Sequence, residues 1–213
     1  MLPSSVIYYV VPRLQQLIAD KVVQGGKCTS LKYICGIDVS YKGDRAFGAA
    51  VVVDSTSFDT VEVAESVTPI KFPYIPGAFI LREAAPILHT MRLLRCDFDA
   101  LILDGHGVLH PRKCGLASFI GVLINKPTIG IAKKLLCGEV NSKHFVEIDG
   151  TICGFMHTNP LNKRVYVSVG NRISLTDSIN LVRKLIKTGQ IIPEPLRLAD
   201  LYSRNHCKLF MPN

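Results

Sequence analysis

The spacing of hydrophobic positions changes several times along the chain, and each change marks an element. In "PRLQQLIADKVV" (12–23), Leu14, Leu17, Ile18 and Val22 recur at helical spacing, and "QGG" ends the run. "LKYICGIDVSY" (31–41), "RAFGAAVVVDS" (45–55) and "DTVEVAESVTPI" (59–70) are β-rich and parted by short polar turns, which predicts a three-strand meander. After a Pro- and Gly-rich loop at 71–77, helical spacing returns from Ala78 to Leu94, where Pro86 must kink the helix or begin a second one. "FDALILDGHG" (98–107) reads as a fully buried strand ending at Asp104, "CGLASFIGVLIN" (114–125) as a helix and "KPTIGIAKK" (126–134) as another buried strand. Three further strands are expected in "HFVEIDG", "TICGFMHT" and "KRVYVSVGN". Two helices close the sequence, "SLTDSINLVRKLIK" with a Ser/Thr start and "PEPLRLADLYSRNHC" opened by prolines. With no repeat, low-complexity tract or linker, the pattern predicts one α/β domain over residues 1–213, a central mixed β-sheet flanked by helices.

Composition narrows the functional classes. Of 213 residues 48% are hydrophobic, which fits a globular chain and excludes a disordered tail. The net charge of +8 suits a polyanionic partner, nucleic acid before membrane, although dispersed charge of this size can also serve solubility alone. Seven cysteines form no CxxC pair and no zinc-ligand spacing; an odd number without a basic signal-type start is expected of reduced thiols in a soluble, cytoplasmic protein. The apolar patch in "MLPSSVIYYVVPRL" is far too short to span a membrane.

Candidate chemistry rests on three carboxylates with apolar neighbours. Asp38 closes "YICGIDV" on the strand face shared with Ile34 and Gly36, Asp104 ends "ALIL", and Glu83 sits between "FILR" and "AAPIL". Each alone can be a turn cap or a solvent-facing helix residue. Together, acids on two strand ends and a helix suggest convergence, which carboxylates make against their own repulsion mainly around a divalent cation. Oxygen ligands without nearby Cys or paired His favour Mg²⁺ or Mn²⁺ over Zn²⁺. In "DGHGVLHPRK" the glycines permit close approach to a substrate, His106 and His110 flank the turn, and Arg112 and Lys113 can meet phosphate. Lys133 in "IGIAKK" either reaches a cleft or belongs to a solvated pair.

"FPYIPGAFILRE" (72–83), "LDGHGVLHPRKCGLASFIGV", "GIDVSY" upstream and "IGIAKK" downstream closely resemble the endonuclease V family, as do "VGNRISLTDSINLV" and "PEPLRLADLYSR". The resemblance runs over nearly the whole chain in the family's order. It implies a ribonuclease H-like fold and an Mg²⁺-dependent endonuclease, with Mn²⁺ able to substitute. Such an enzyme recognises inosine in nucleic acid and hydrolyses the second phosphodiester bond on its 3′ side, leaving 3′-hydroxyl and 5′-phosphate in the service of DNA repair. By resemblance Asp38, Glu83 and Asp104 match the metal-binding acids, Asp200 a further and variable metal position, and Lys133 the active-site lysine. His110 matches a histidine near the lesion. Pro73, Tyr74, Ile75 and Pro76 match a wedge that parts the strands, and Gly77, Gly105 and Gly115 match turns lining the pocket of the flipped base. Phe119 stands where many members have His, and Val169 where Pro is usual. The expected partner is inosine-containing DNA or RNA, met by a monomer. A non-cleaving inosine-binding module and an inosine-specific ribonuclease are the competing readings, and whether one ion or two take part stays open.

Overall fold

The computed structural model describes residues 4–26, 30–75 and 77–210. The meander forms as β1 (Tyr33–Lys42), β2 (Arg45–Asp54) and β3 (Thr60–Pro69), antiparallel throughout. The two buried runs become β4 (Ala100–Asp104) and β5 (Thr128–Ala132), both parallel to β1. β6 (Glu139–Val140), β7 (Phe145–Ile148), β8 (Thr151–Thr158) and β9 (Arg164–Asn171) add an antiparallel wing, giving a mixed sheet in the order β3-β2-β1-β4-β5-β9-β8-β7-β6. Only β6 escaped the sequence pattern, because two residues show no period.

Five helices cover the two faces: α1 (Ser4–Ala19), α2 (Phe79–Met91), α3 (Leu116–Ile124), α4 (Leu175–Leu185) and α5 (Glu194–Phe210). Side chains alternate across a strand, so Cys35, Ile37, Leu101 and Leu103 join α1–α3 in one buried core, while Ile34, Ala100 and Ile102 join α4 and α5 in another. This two-sided burial explains the near-continuous apolar runs of β4 and β5. Gly36 is required by close packing: a Cβ there would collide with the backbone of Pro195 at the start of α5. Pro195 itself sits in the first turn of α5, where its missing N–H costs nothing.

Two helix expectations need correction. α1 begins at Ser4 and carries Pro12 in its interior, so "VIYYVV" is helix and not merely an apolar patch. Its inward face is Ile7, Val11, Gln15 and Ile18, whereas Leu17 is 62% exposed and Val22 lies past the helix end. A buried polar residue at 15 hid that face from a hydrophobic pattern. Pro86 lies inside α2, which continues to Met91, so it does not begin a second helix. The Arg82 carbonyl loses its usual helical donor, and the hydroxyl of Tyr41 comes within 3.4 Å of it. Thr90 closes the next turn by donating to the Pro86 carbonyl at 2.8 Å. Phe119 and Val169, where the family's usual residue is absent, are both buried. No helix among the described residues is long and apolar enough to cross a membrane, and the six described cysteines are unpaired.

Candidate active site

The parallel register of β1 and β4 pairs Ile37 with Leu103, so Asp38 and Asp104 follow side by side at the carboxyl end of β4. Both point to the α5 face, opposite to Ile37 and Leu103. Glu83 reaches the same place from α2 on the other face. Asp38, Glu83 and Asp104 then line one cleft of about 550 Å³ together with Tyr41, Tyr74, Arg82 and Gly105. Binding at the carboxyl ends of parallel strands is the general habit of open α/β sheets.

Each acid has its own donor. Ser203 of α5 donates to Asp38 at 2.8 Å and is itself 2.9 Å from the Ser40 hydroxyl. Tyr41 donates to Glu83 at 2.8 Å. The ammonium of Lys133 lies 2.6 Å from Asp104, and Arg204 lies 2.7 Å from Asp200. Burial pushes the Asp38 carboxyl above its ordinary range; the Ser203 hydrogen bond opposes this, and the charges of Asp104 and Asp200 add to it. Burial likewise raises Glu83 to about 7, against the Tyr41 hydrogen bond and with the charges of Asp38 and Asp104. Burial works against the Lys133 ammonium, but the hydrogen bond and charge of Asp104 outweigh it and hold Lys133 above its ordinary value.

These acids suit a hard divalent cation in two respects. Their ligating atoms are oxygens, and their mutual repulsion is met only in part, by Lys133 beside Asp104 and by Arg82 near Glu83. Their side chains are nevertheless turned to separate partners. Among the described residues no group of three or more His, Cys, Asp or Glu side chains is close enough to hold an ion as it stands. Asp38 and Asp104, on neighbouring strands and one face, are the pair placed to begin such a site.

The loop before α2 divides the expected Tyr-Ile pair. Tyr74 is 63% exposed and meets the ring of Phe79 edge-on at 6.3 Å between centroids. Ile75 is half-buried against the α1–α3 core, and its carbonyl accepts from the Ala78 N–H at 2.9 Å. Pro73 is exposed, and Pro76 lies outside the described residues. Gly77 has φ +79°, a conformation that favours glycine. Its carbonyl accepts from Arg112 at 3.2 Å, while the Nε of Arg112 donates to buried Gln15 at 2.7 Å. Gln15 in turn donates to the Cys114 carbonyl at 2.9 Å. Arg112, expected at a phosphate, is thus engaged in fastening this loop to α1.

Gly105 borders the acid cleft, with its N–H donating to Ile131 at 2.9 Å. Gly115 caps α3 in extended backbone, and a Cβ on it would strike the His106 carbonyl. His110 is 9% exposed and does not border the cleft. Burial and the nearby Arg112 charge hold its pKa down at about 4, so its ring is neutral at pH 7; its Nδ1 accepts from the Arg112 N–H at 3.2 Å. The structure therefore gathers Asp38, Glu83, Asp104, Lys133 and Tyr74 about one opening and sets Asp200 behind Asp38 on α5. His110 and Gly115 belong to the supporting loop. Tyr41, Ser203 and Gln15 were missed in the sequence; "GIDVSY" held a signal for Tyr41 alone, a hydroxyl-bearing residue three positions after Asp38.

A ribonuclease H-like sheet with one acid inside β1, where two strand-end acids were expected, and another at the end of β4 defines a nuclease, a hydrolase of phosphodiester bonds. The family model for Endonuclease V matches residues 16–201, and the chain belongs to that family. It is 40% identical to the Endonuclease V of Thermofilum pendens over 97% of this chain and 92% of that relative. The crystal structure of Endonuclease V from Streptomyces avermitilis superposes with a TM-score of 0.86 at 31% identity, covering 94% of this chain and 92% of the other. A variant of Ciona intestinalis Endonuclease V, solved with a 23mer DNA containing an inosine followed by a ribo-adenosine, gives 0.86 at 25% identity over 99% and 100% of the two chains.

Proposed function

We propose that this protein is a divalent-cation-dependent endonuclease that recognises inosine in DNA and hydrolyses the second phosphodiester bond on its 3′ side, as a single-domain monomer serving repair of deaminated adenine. The observation that carries the reading is the shared cleft: Asp38, Glu83 and Asp104 border the same opening as the exposed ring of Tyr74. Reacting groups and a stacking platform are thus parts of one surface. The relative solved with inosine-containing DNA supports the choice of substrate.

Asp38 and Asp104 would hold Mg²⁺, with Mn²⁺ as a substitute and Glu83 as a further ligand; Asp200 is the residue available for a second ion. The bound cation would supply an acidified water and neutralise charge on the leaving oxygen. Ser203 keeps the Asp38 carboxylate oriented, and Tyr41 does the same for Glu83. Lys133 is placed beside Asp104 to offset phosphate charge or orient the attacking water. Tyr74 supplies the flat face of a wedge, while Ile75, tucked into the core, gives that wedge a foothold. Inosine differs from adenosine at O6 and N1, an edge that backbone groups at a glycine turn such as Gly105 can read once the base is extruded.

The test is incubation with matched oligonucleotides carrying one inosine, as DNA and as RNA, with and without Mg²⁺. Nicking of the DNA at a single 3′ position, dependent on Mg²⁺, is the expected result. Binding without nicking would make the protein a recognition module, and nicking confined to RNA would make it a ribonuclease.

A further inference from the structure

A second groove, of about 530 Å³, lies on the outer side of α2, between that helix and the end of β3. Its walls carry Lys71, Arg82, His89 and Arg92 and no carboxylate. Neither Lys71, Arg82 nor Arg92 has an ion-pair partner among the described residues. Arg92 also complements the dipole at the end of α2, but this accounts for neither Arg82 in the first turns nor Lys71 on the facing wall. The Thr68 hydroxyl, which borders the groove, is buried and lacks a hydrogen-bond partner. The guanidinium carbon of Arg82 lies over the Tyr41 ring, 4.1 Å from its centroid, and both residues border the acid cleft as well. The groove is therefore the continuation of the cleft around one side chain pair.

We propose that this groove binds the sugar–phosphate backbone of the nucleic-acid strand where it runs on from the acid cleft. The inference rests on the reading that the cleft takes nucleic acid. Arg82, His89 and Arg92 follow one side of α2, and ten residues of helix span about 15 Å. The apolar floor beneath the cations, including Pro86 and Leu81, suits sugars more than water. No base-reading arrangement of donors and acceptors accompanies them, so the groove adds affinity and register without sequence preference.

The experiment compares wild type with the double variant Lys71→Ala/Arg92→Ala. Affinity is measured by titration in Ca²⁺ over a range of salt, on a short inosine strand confined to the cleft and on one extended by about ten nucleotides. On the extended strand the variant should bind more weakly, and the slope of log affinity against log salt should fall by about 1.4 for single strands or 1.8 for duplex. On the short strand the two proteins should agree, and Lys71→Arg/Arg92→Lys should restore the extended-strand slope. Unchanged slopes, equal losses at both lengths, or displacement of long strands by a mononucleotide at the groove would overturn the proposal. The same titrations on strands lacking inosine separate the two readings. If wild type ignores inosine yet the length-dependent loss persists, the groove stands and the inosine assignment falls.

Discussion

The hydroxyl of Tyr41 donates a 2.8 Å hydrogen bond to Oε1 of Glu83. Glu83 is buried, and this bond is the main influence holding its pKa down against desolvation. In Tyr41→Phe the carboxyl keeps its burial and loses its donor, so its pKa should rise above about 7. A higher pH is then needed to ionise it. The acidic limb of the single-turnover pH–rate profile should move to higher pH, with the rate recovering as pH is raised. An unmoved limb would show that Glu83 ionisation does not govern the rate.

Removing either sheet acid should abolish Mg²⁺-dependent nicking without loss of fold. Asp38→Ala and Asp104→Ala each relieve repulsion within the cluster, so melting temperatures should stay level or rise. Near-normal cleavage by either purified variant would remove that residue from the metal site.

Lys133→Ala should lower the cleavage rate at saturation more than it lowers affinity, since one phosphate contact among many adds little to binding. A steep fall in affinity with unchanged single-turnover rate would make Lys133 an anchor only.

Tyr74 and Ile75, neighbours in sequence, should separate in experiment. Tyr74 is exposed, so Tyr74→Ala should leave the melting temperature alone and cost about 1–3 kcal/mol of stacking, read as weaker binding to inosine duplex. The loss should shrink on single strands, where no partner strand needs to be held apart. Ile75 packs on the core, and Ile75→Ala should cost about 1–2 kcal/mol of stability. Equal stability losses from both changes would contradict this division of the loop.

Glu194 offers a pH test away from the cleft. Its hydrogen bonds from Arg197, at 2.7 and 2.9 Å, and from Lys187, at 2.9 Å, hold its pKa down at about 2. Because the folded-state value lies below the unfolded one, the stabilisation is complete above about pH 4.5 and is lost as pH falls towards 2. Glu194→Gln should cost about 1–3 kcal/mol at pH 7 and less in acid. Denaturation midpoints of the two proteins should draw together below about pH 4; a constant gap would assign the effect to packing.

Most of the fold was legible because burial is periodic. β1 and β3 carry mixed patterns, and the unbroken apolar runs of β2, β4 and β5 belong to strands covered on both sides. The errors fall where a polar residue does a buried task. Gln15 occupies an inward slot of α1, so the hydrophobic stripe seemed to pass through Leu17. Pro86 left a second helix open as a reading because its lost hydrogen bond cannot be seen to lie beside Tyr41. In the site, the acids were legible as carboxylates out of place among apolar residues. Their donors were not: Ser203 reaches Asp38 across 165 positions of sequence, and no local pattern encodes such a contact. Arg112 shows the reverse limit, since a cation in a glycine loop looks the same whether it meets phosphate or a backbone carbonyl.

The separation of Ser203 from Asp38 has a consequence for the order in which the protein is made. A ribosome releases residues 38, 83 and 104 well before the residues of α5. Until that late helix lies down on β1, with Pro195 against Gly36, Asp38 has no hydroxyl beside it and Asp200 is not present. The nascent chain therefore carries its acids for most of its synthesis as an unfinished set. Competence to cut arrives at the end, in the same docking step that closes the second core.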